Sequence, residues 1–278
     1  MRINGGVPVI VGTRAEDGFK LTPDALREAI TPRTKWLILN SPGNPTGAVY
    51  TADELRALAQ VLRAAPQVLV LWDEMYEEIW FGQPPAHLLR AAPDLAGRTL
   101  VVNGVSKAYA MTGWRIGWGT GPAALVHALE AVQSQVSSGP SSLGQAAALA
   151  ALQGAADGFV DTARKAYERR AQRVVNGLAA VPGVQVHAPQ GSFFAWVGVG
   201  GLIGASRPDG RRIEDDGDVV DWLLESEGVA VVRGAAYGLS PYLRLSFAAS
   251  DANIDAALER IGRAVAALAL PQTLEAAA

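Results

Sequence analysis

"TLVVNGVSKAYAMTGWRIGWGTG", residues 99–121, joins an apolar run to a turn-rich segment that carries one of the chain's four lysines. Leu100, Val101 and Val102 are continuous apolar residues, the pattern of a strand covered on both faces. Lys107 follows among small and apolar neighbours, whereas most of the chain's positive charge sits on arginine. A lysine kept for solubility belongs on a polar helix face. An amine at the end of a buried strand is desolvated, which disfavours its charged form and makes it a better nucleophile. Taken alone, a surface charge explains the residue as well.

Working outward, "VPVIV" (7–11), "KWLILN" (35–40) and "VLVLW" (68–72) read as further buried strands. "LTPDALREAIT" between the first two carries a helix start, with Thr22 as N-cap and Pro23 at the first helical position. Thr51 and Glu54 form a capping-box pair ahead of a helix that places Leu55, Leu58 and Leu62 on one face. Strand and helix alternate to about residue 120, so the expected fold class is α/β with a mostly parallel sheet flanked by helices. Beyond it come a candidate helix in "GPAALVHALEAVQSQV", a long helix over 157–180, and short strands in "SFFAWV", "VAVV" and "YLRLSFA". A last helix from Ser250 or Asp251 carries an apolar stripe of Ile254, Leu258, Ile261, Val265 and Leu268. This second part reads as a smaller α+β domain, giving an expected division into 1–165 and 166–278. "GASRPDGRRIEDDGD" (204–218) is the clearest surface loop.

Composition narrows the function classes. The 278 residues carry a net charge of −3 with no basic block, which argues against nucleic acid as a partner. There is no cysteine, hence no disulfide frame or thiolate nucleophile, and three isolated histidines argue against a metal site. No apolar run approaches a membrane span, and the start "MRINGGVPVIVG" lacks a signal-peptide pattern. A cytoplasmic location is the default expectation.

Polar groups collect where the expected strands end, the edge at which open α/β sheets bind ligands. "WLILN" ends in Asn40 and a turn bearing Asn44; "VLVLW" leads to Asp73 and Tyr76; "TLVVN" leads to Ser106 and Lys107, with Arg115 following. A lysine can form a Schiff base with an aldehyde, and an aspartate can hold a ring nitrogen protonated. A tyrosine and an asparagine can bond a phenolic oxygen, and a serine and an arginine can hold a phosphate. The kit suits pyridoxal 5′-phosphate. Singly, Asp73 could be a helix cap and Tyr76 a packed aromatic.

"NSPGNPTG", "DEMYEEIWF" and "NGVSKAYAMTGWRIG", in this order and spacing, resemble the class I/II aminotransferases of PLP fold type I, and within them the prokaryotic-type aspartate and aromatic subgroup. The resemblance extends from about residue 3 to 268. It implies a large cofactor-binding domain, a smaller C-terminal domain, a homodimer, and transfer of an amino group from an L-amino acid to a 2-oxo acid. It implies that Lys107 anchors pyridoxal 5′-phosphate and moves the proton, and that Asp73 pairs with the ring nitrogen. Tyr76 and Asn44 would meet the ring oxygen, Asn44 also the substrate carboxylate, and Ser106 and Arg115 the phosphate. Arg244 in "YLRLSFA" matches the arginine that clamps the substrate α-carboxylate. It alternates with Leu243 and Leu245, so a solvent-facing arginine explains its position equally well. Arg233 stands where the family usually has proline. The resemblance also implies a further N-terminal segment, holding a glycine-rich phosphate loop and a ring-stacking aromatic, before residue 1. Two alternatives share the fold: a C–S β-lyase, and the ligand-sensing domain of a transcription regulator.

Overall fold

The computed structural model describes residues 2–271. These divide into two compact units. The first takes residues up to Asn44, Ala48–Lys165 and Gln190–Ser192; the second takes Pro45–Gly47, Ala166–Pro189 and the described residues from Phe193 onward.

Local signals set the elements of the first unit. Thr22 accepts a hydrogen bond from Ala25 N and caps α1 (Pro23–Ala29). Strand β1 (Trp36–Asn40) follows. Helix α2 (Ala52–Arg63) opens on the complete capping box of Thr51 and Glu54 and buries Leu55, Leu58 and Leu62 fully. Each such burial stabilises by about 1.5–3 kcal/mol. Arg98 reinforces the end of α2 and the turn beyond it, donating to Leu62 O at 2.7 Å and Ala65 O at 2.8 Å, carbonyls that also accept from Ala65 N and Val68 N. Strand β2 (Leu69–Asp73), the short helix α3 (Leu88–Ala91) and β3 (Thr99–Gly104) complete the core around Trp72, Val70 and Leu95. β1 pairs with β2 and β2 with β3, both parallel, and β4 (Gly117–Thr120) closes the sheet antiparallel to β3. Helices α4 (Ala123–Val136), α5 (Ser142–Ala150) and α6 (Asp157–Ala179) follow, and the boundary between the units falls inside α6.

One expectation for this unit needs correction. Val7–Val11 is not a strand, and Val7, Val9 and Ile10 are 85%, 70% and 74% exposed. A strand needs a neighbour for its N–H and C=O groups. Among the described residues β1 is the sheet edge and pairs with β2 alone. For the same reason β1 is only half buried, with Ile38 47% exposed. The "GWGT" segment, given no element from the sequence, is the strand β4.

The second unit is a four-stranded antiparallel sheet in the order β5-β6-β8-β7: β5 (Gln185–His187), β6 (Phe194–Gly198), β7 (Val232–Arg233) and β8 (Tyr242–Ser246). Leu243 and Leu245 of β8 turn one way and meet Leu178 of α6 and residues of α7 (Asp216–Glu227) and α8 (Asp251–Ala266) around an apolar core. Ser250 caps α8 through Asn253 N at 3.2 Å. "VAVV" forms a strand only at Val232–Arg233. Residues 204–218 are not simply surface loop: Arg207, Ile213 and Asp216 are buried, and α7 begins within the stretch. Arg207 can be buried because it ion-pairs with Glu225 and its guanidinium lies 4.8 Å from the Trp222 ring centroid. Among the described residues no helix is long and apolar enough to cross a membrane, and no group of His, Asp or Glu is arranged to hold a metal.

Candidate functional site

Parallel pairing brings the ends of β1, β2 and β3 to one edge. Asn40 is the register partner of Asp73, and Asp73 of Val102; neighbouring strands lie about 4.8 Å apart. The Asn40 side chain ties this edge together. Its Nδ2 donates to Asp73 O at 3.0 Å, and its Oδ1 accepts from Asn44 N at 2.7 Å. The turn bearing Asn44 is thereby held to the end of β2, and the Asn44 side chain is exposed. Asp73 is half buried, and its Oδ1 accepts from Met75 N at 3.0 Å. Burial pushes its carboxyl pKa above the ordinary value, and the neighbouring Glu74 adds to the rise. Tyr76, three residues on, is buried.

Beyond β3 the chain turns at Val105–Tyr109, with Ser106 and Lys107 both half buried. Ala110 N donates to Lys107 O at 3.2 Å, and Val105 N to Ile116 O at 3.3 Å. The second of these bonds returns the chain beside β3, so that Arg115 lies in the connection next to the turn of Ser106 and Lys107. Arg115 is exposed, has a φ of +56° and donates from Nη1 to Thr112 O at 3.0 Å. A non-glycine residue in the left-handed region costs about 1–3 kcal/mol and persists where its surroundings over-determine it. Glycine makes the return possible. Gly104 faces Gly117 across the β3–β4 pair, and a Cβ on Gly104 would lie 2.8 Å from Ile116 O.

Asn44, Asp73, Tyr76, Ser106, Lys107 and Arg115 all belong to the first unit, on or just beyond strand ends. Arg244 belongs to the second unit, on β8. There the alternation holds, with Leu243 and Leu245 buried and Arg244 turned the other way. It is not simply a solvated arginine: its Cζ lies 4.3 Å from the Phe194 ring centroid and 5.2 Å from that of Tyr237. Arg233, on β7, is exposed.

Several contributors were missed from sequence. Asn103 donates to Glu77, and its Oδ1 accepts from Gly104 N at 2.7 Å, fixing the end of β3. Burial and the neighbouring Glu74 raise the Glu77 pKa. The Gly104–Gly117 contact had a visible signal in the spaced glycines of "GWGTG". Phe194 and Tyr237 had none beyond being aromatic.

The family model described as aminotransferase class I and II matches residues 1–261. The aspartate aminotransferase of Rhizobium meliloti strain 1021 is 49% identical over 263 residues, covering 93% of this chain and 63% of that protein. The aspartate/prephenate aminotransferase of Cereibacter sphaeroides is 49% identical over 261 residues, covering 92% and 64%. The crystal structure of the Rhizobium meliloti aspartate aminotransferase matches with a TM-score of 0.91 at 48% identity, over 94% of this chain and 65% of that one. The Thermus thermophilus aspartate aminotransferase with maleate matches with a TM-score of 0.85 at 40% identity, over 95% and 65%. The chain thus spans a little under two thirds of the length of these relatives.

Proposed function

Because the chain belongs to the class I and II aminotransferase family, we propose that it carries the catalytic lysine of a pyridoxal 5′-phosphate enzyme that moves the amino group of L-aspartate or a related amino acid to a 2-oxo acid. The observation that carries this reading is the position of Lys107: an amine in the turn directly after β3, one strand over from a half-buried carboxyl at the end of β2.

The donor set fits the cofactor. The Asp73 carboxyl is raised by burial, so a cationic partner such as a protonated ring nitrogen relieves the cost of ionising it. Tyr76 and Asn44 offer donors for the ring oxygen, and Ser106 and Arg115 offer a hydroxyl and a fork of N–H groups for a phosphate. When bound, the cofactor supplies an electron-withdrawing ring that stabilises negative charge at the amino acid's α-carbon. In this reading the Lys107 amine would hold the cofactor at its aldehyde carbon, and it would be the base that takes the proton from the substrate's α-carbon and the acid that gives it back. Arg244 binds the substrate α-carboxylate by a planar, two-pronged contact that a lysine cannot make. The named relatives are aminotransferases, and no observation favours the lyase or the sensor.

The homodimer implied by the sequence resemblance is part of the same reading. Apolar side chains of α4 and α5 stand exposed, Val132 at 62% and Leu143 at 76%, which supports a covering polypeptide. Light scattering on the purified protein reads its mass directly. For the reaction, the protein is loaded with pyridoxal 5′-phosphate and mixed with L-aspartate. The bound cofactor's absorbance should move to that of its amine form with one equivalent of oxaloacetate, and 2-oxoglutarate should restore it. Release of pyruvate and ammonia from a sulfur-containing amino acid, with no such cycle, overturns the assignment.

A further inference from the structure

Arg244 sits in a built aromatic setting. On β6, Trp196 is its register partner and Phe194 its diagonal neighbour on the same face. The Arg244 Cζ lies 4.3 Å from the Phe194 centroid and 5.2 Å from Tyr237, and its Nε is buried. Tyr237 is itself fixed. Its ring meets Trp196 edge-on, at 5.7 Å and 89°, and Trp196 stacks on Tyr242 at 5.3 Å and 3°. The short turn Gly234–Tyr237 that carries it is pinned by Asp216, buried at 1% exposure. Asp216 accepts from Ala235 N at 2.8 Å and from Ser240 Oγ at 2.6 Å.

We propose that Phe194 and Tyr237 are positioning residues for Arg244: their rings set the direction of the guanidinium so that it meets a carboxylate with two parallel bonds. The inference rests on Arg244 being the carboxylate clamp proposed above. An arginine side chain has four rotatable bonds and loses substantial freedom when it is ordered. A ring contact restrains the guanidinium by cation–π attraction while consuming none of its N–H donors. The rings therefore pre-order the fork, and the ordering cost falls on folding rather than on substrate binding. Tyr237 reaches Arg244 from the turn held by Asp216 and Phe194 from β6, so the clamp's direction depends on two separate elements.

The test uses the cofactor-loaded protein and its Tyr237→Leu, Tyr237→Phe, Phe194→Leu and Arg244→Lys variants. Succinate binding by calorimetry, KM and kcat for aspartate, pyridoxal 5′-phosphate affinity and the urea midpoint are measured for each. Tyr237→Leu should weaken succinate binding and raise KM about three- to tenfold, with kcat and cofactor affinity little changed, from the strength of a partly desolvated cation–π contact. Tyr237→Phe keeps the ring and should remain within about twofold of the parent. Phe194→Leu should show the same loss independently, and covers the case in which Tyr237→Leu does not fold. Unchanged succinate binding in folded leucine variants, beside a clear loss in Arg244→Lys, overturns the positioning role and leaves the clamp standing. Unchanged binding in Arg244→Lys overturns the clamp and the positioning role with it.

Discussion

Asn40 and Asp73 are register partners at the ends of two parallel strands, and the Asn40 amide bonds the Asp73 carbonyl at 3.0 Å while its oxygen holds Asn44 N at 2.7 Å. One side chain thus couples two proposed cofactor ligands. Asn40→Ala leaves the Asp73 carbonyl its bond from Ser41 N, so the loss falls mainly on the Asn44 turn. We expect a destabilisation of about 1–2 kcal/mol in urea melts and a several-fold loss in pyridoxal 5′-phosphate affinity.

Lys107 can be identified chemically. Borohydride reduction of the cofactor-loaded protein should attach the cofactor to the peptide containing Lys107, as read by mass spectrometry. The other lysines are Lys20, Lys35 and Lys165. Lys20 is already committed to Glu54 at 2.6 Å. If Lys107 has its proposed role, Lys107→Ala should abolish the label and lower turnover by at least about a thousandfold, the scale of losing a nucleophile that is also the proton carrier. Labelling at another lysine sinks the assignment.

The raised pKa of Asp73 has a defined sign. The folded chain holds this proton more tightly than the unfolded chain does. The group's stabilising contribution is therefore complete below the unfolded value and is lost as pH rises through the folded one. In cofactor-free protein, Asp73→Asn removes that loss. The variant should melt higher than the parent near neutral pH, with the difference vanishing in acid below the ordinary carboxylate range. With cofactor the proposed pairing of Asp73 with the ring nitrogen predicts the reverse order, because the variant lacks a charge-assisted bond of about 1.5–3 kcal/mol and affinity should fall at least about tenfold. Parallel melts across pH, with and without cofactor, read both effects.

What the sequence disclosed follows the range of the interactions involved. Helix starts at Thr22, Thr51 and Ser250 were legible because a cap is made within three residues. The strand ends bearing Asp73 and Lys107 were legible because continuous apolar runs stop there. Val7–Val11 misled because an apolar run states a need for burial, not the presence of a partner strand. β4 was hidden because a glycine-rich segment looks like loop until its close approach to β3 is known. The burial of Arg207 and Asp216 was hidden because each is made tolerable by partners distant in sequence, Glu225 and Ser240. The rings around Arg244 were unreadable for the same reason.

Asp216 gives a sharp test of the second unit. Asp216→Ala removes a buried acceptor and takes the partner from two donors, Ala235 N and Ser240 Oγ, that belong to exposed residues. The expected destabilisation is about 1–3 kcal/mol, the scale of losing charge-assisted bonds whose donors can still reach water. Asp216→Asn keeps one accepting oxygen and should cost roughly half as much. Urea melts of both variants measure this, and equal stability of Asp216→Ala and the parent would remove Asp216 as the anchor of the turn.

The close approach of β3 and β4 makes the last prediction. An alanine Cβ at Gly104 would lie 2.8 Å from Ile116 O and 3.0 Å from Gly117 Cα, and one at Gly117 would lie 2.9 Å from Asn103 O. These are backbone atoms and cannot rotate aside, so the strands must separate. Overpacking of this kind costs about 1–3 kcal/mol. The connection between the strands carries Ser106, Lys107 and Arg115, so separation should displace the two proposed phosphate donors, Ser106 and Arg115, in particular. Gly104→Ala and Gly117→Ala should therefore lose affinity for pyridoxal 5′-phosphate while changing little toward pyridoxal, which has no phosphate. The preference between the two ligands should shrink at least about tenfold, the scale of one charge-assisted contact. Gly113→Ala is the control, since a Cβ there meets nothing within 4 Å. Paired titrations with the two ligands decide the matter. An unchanged preference in folded Gly104→Ala would mean that the phosphate donors do not depend on the β3–β4 contact.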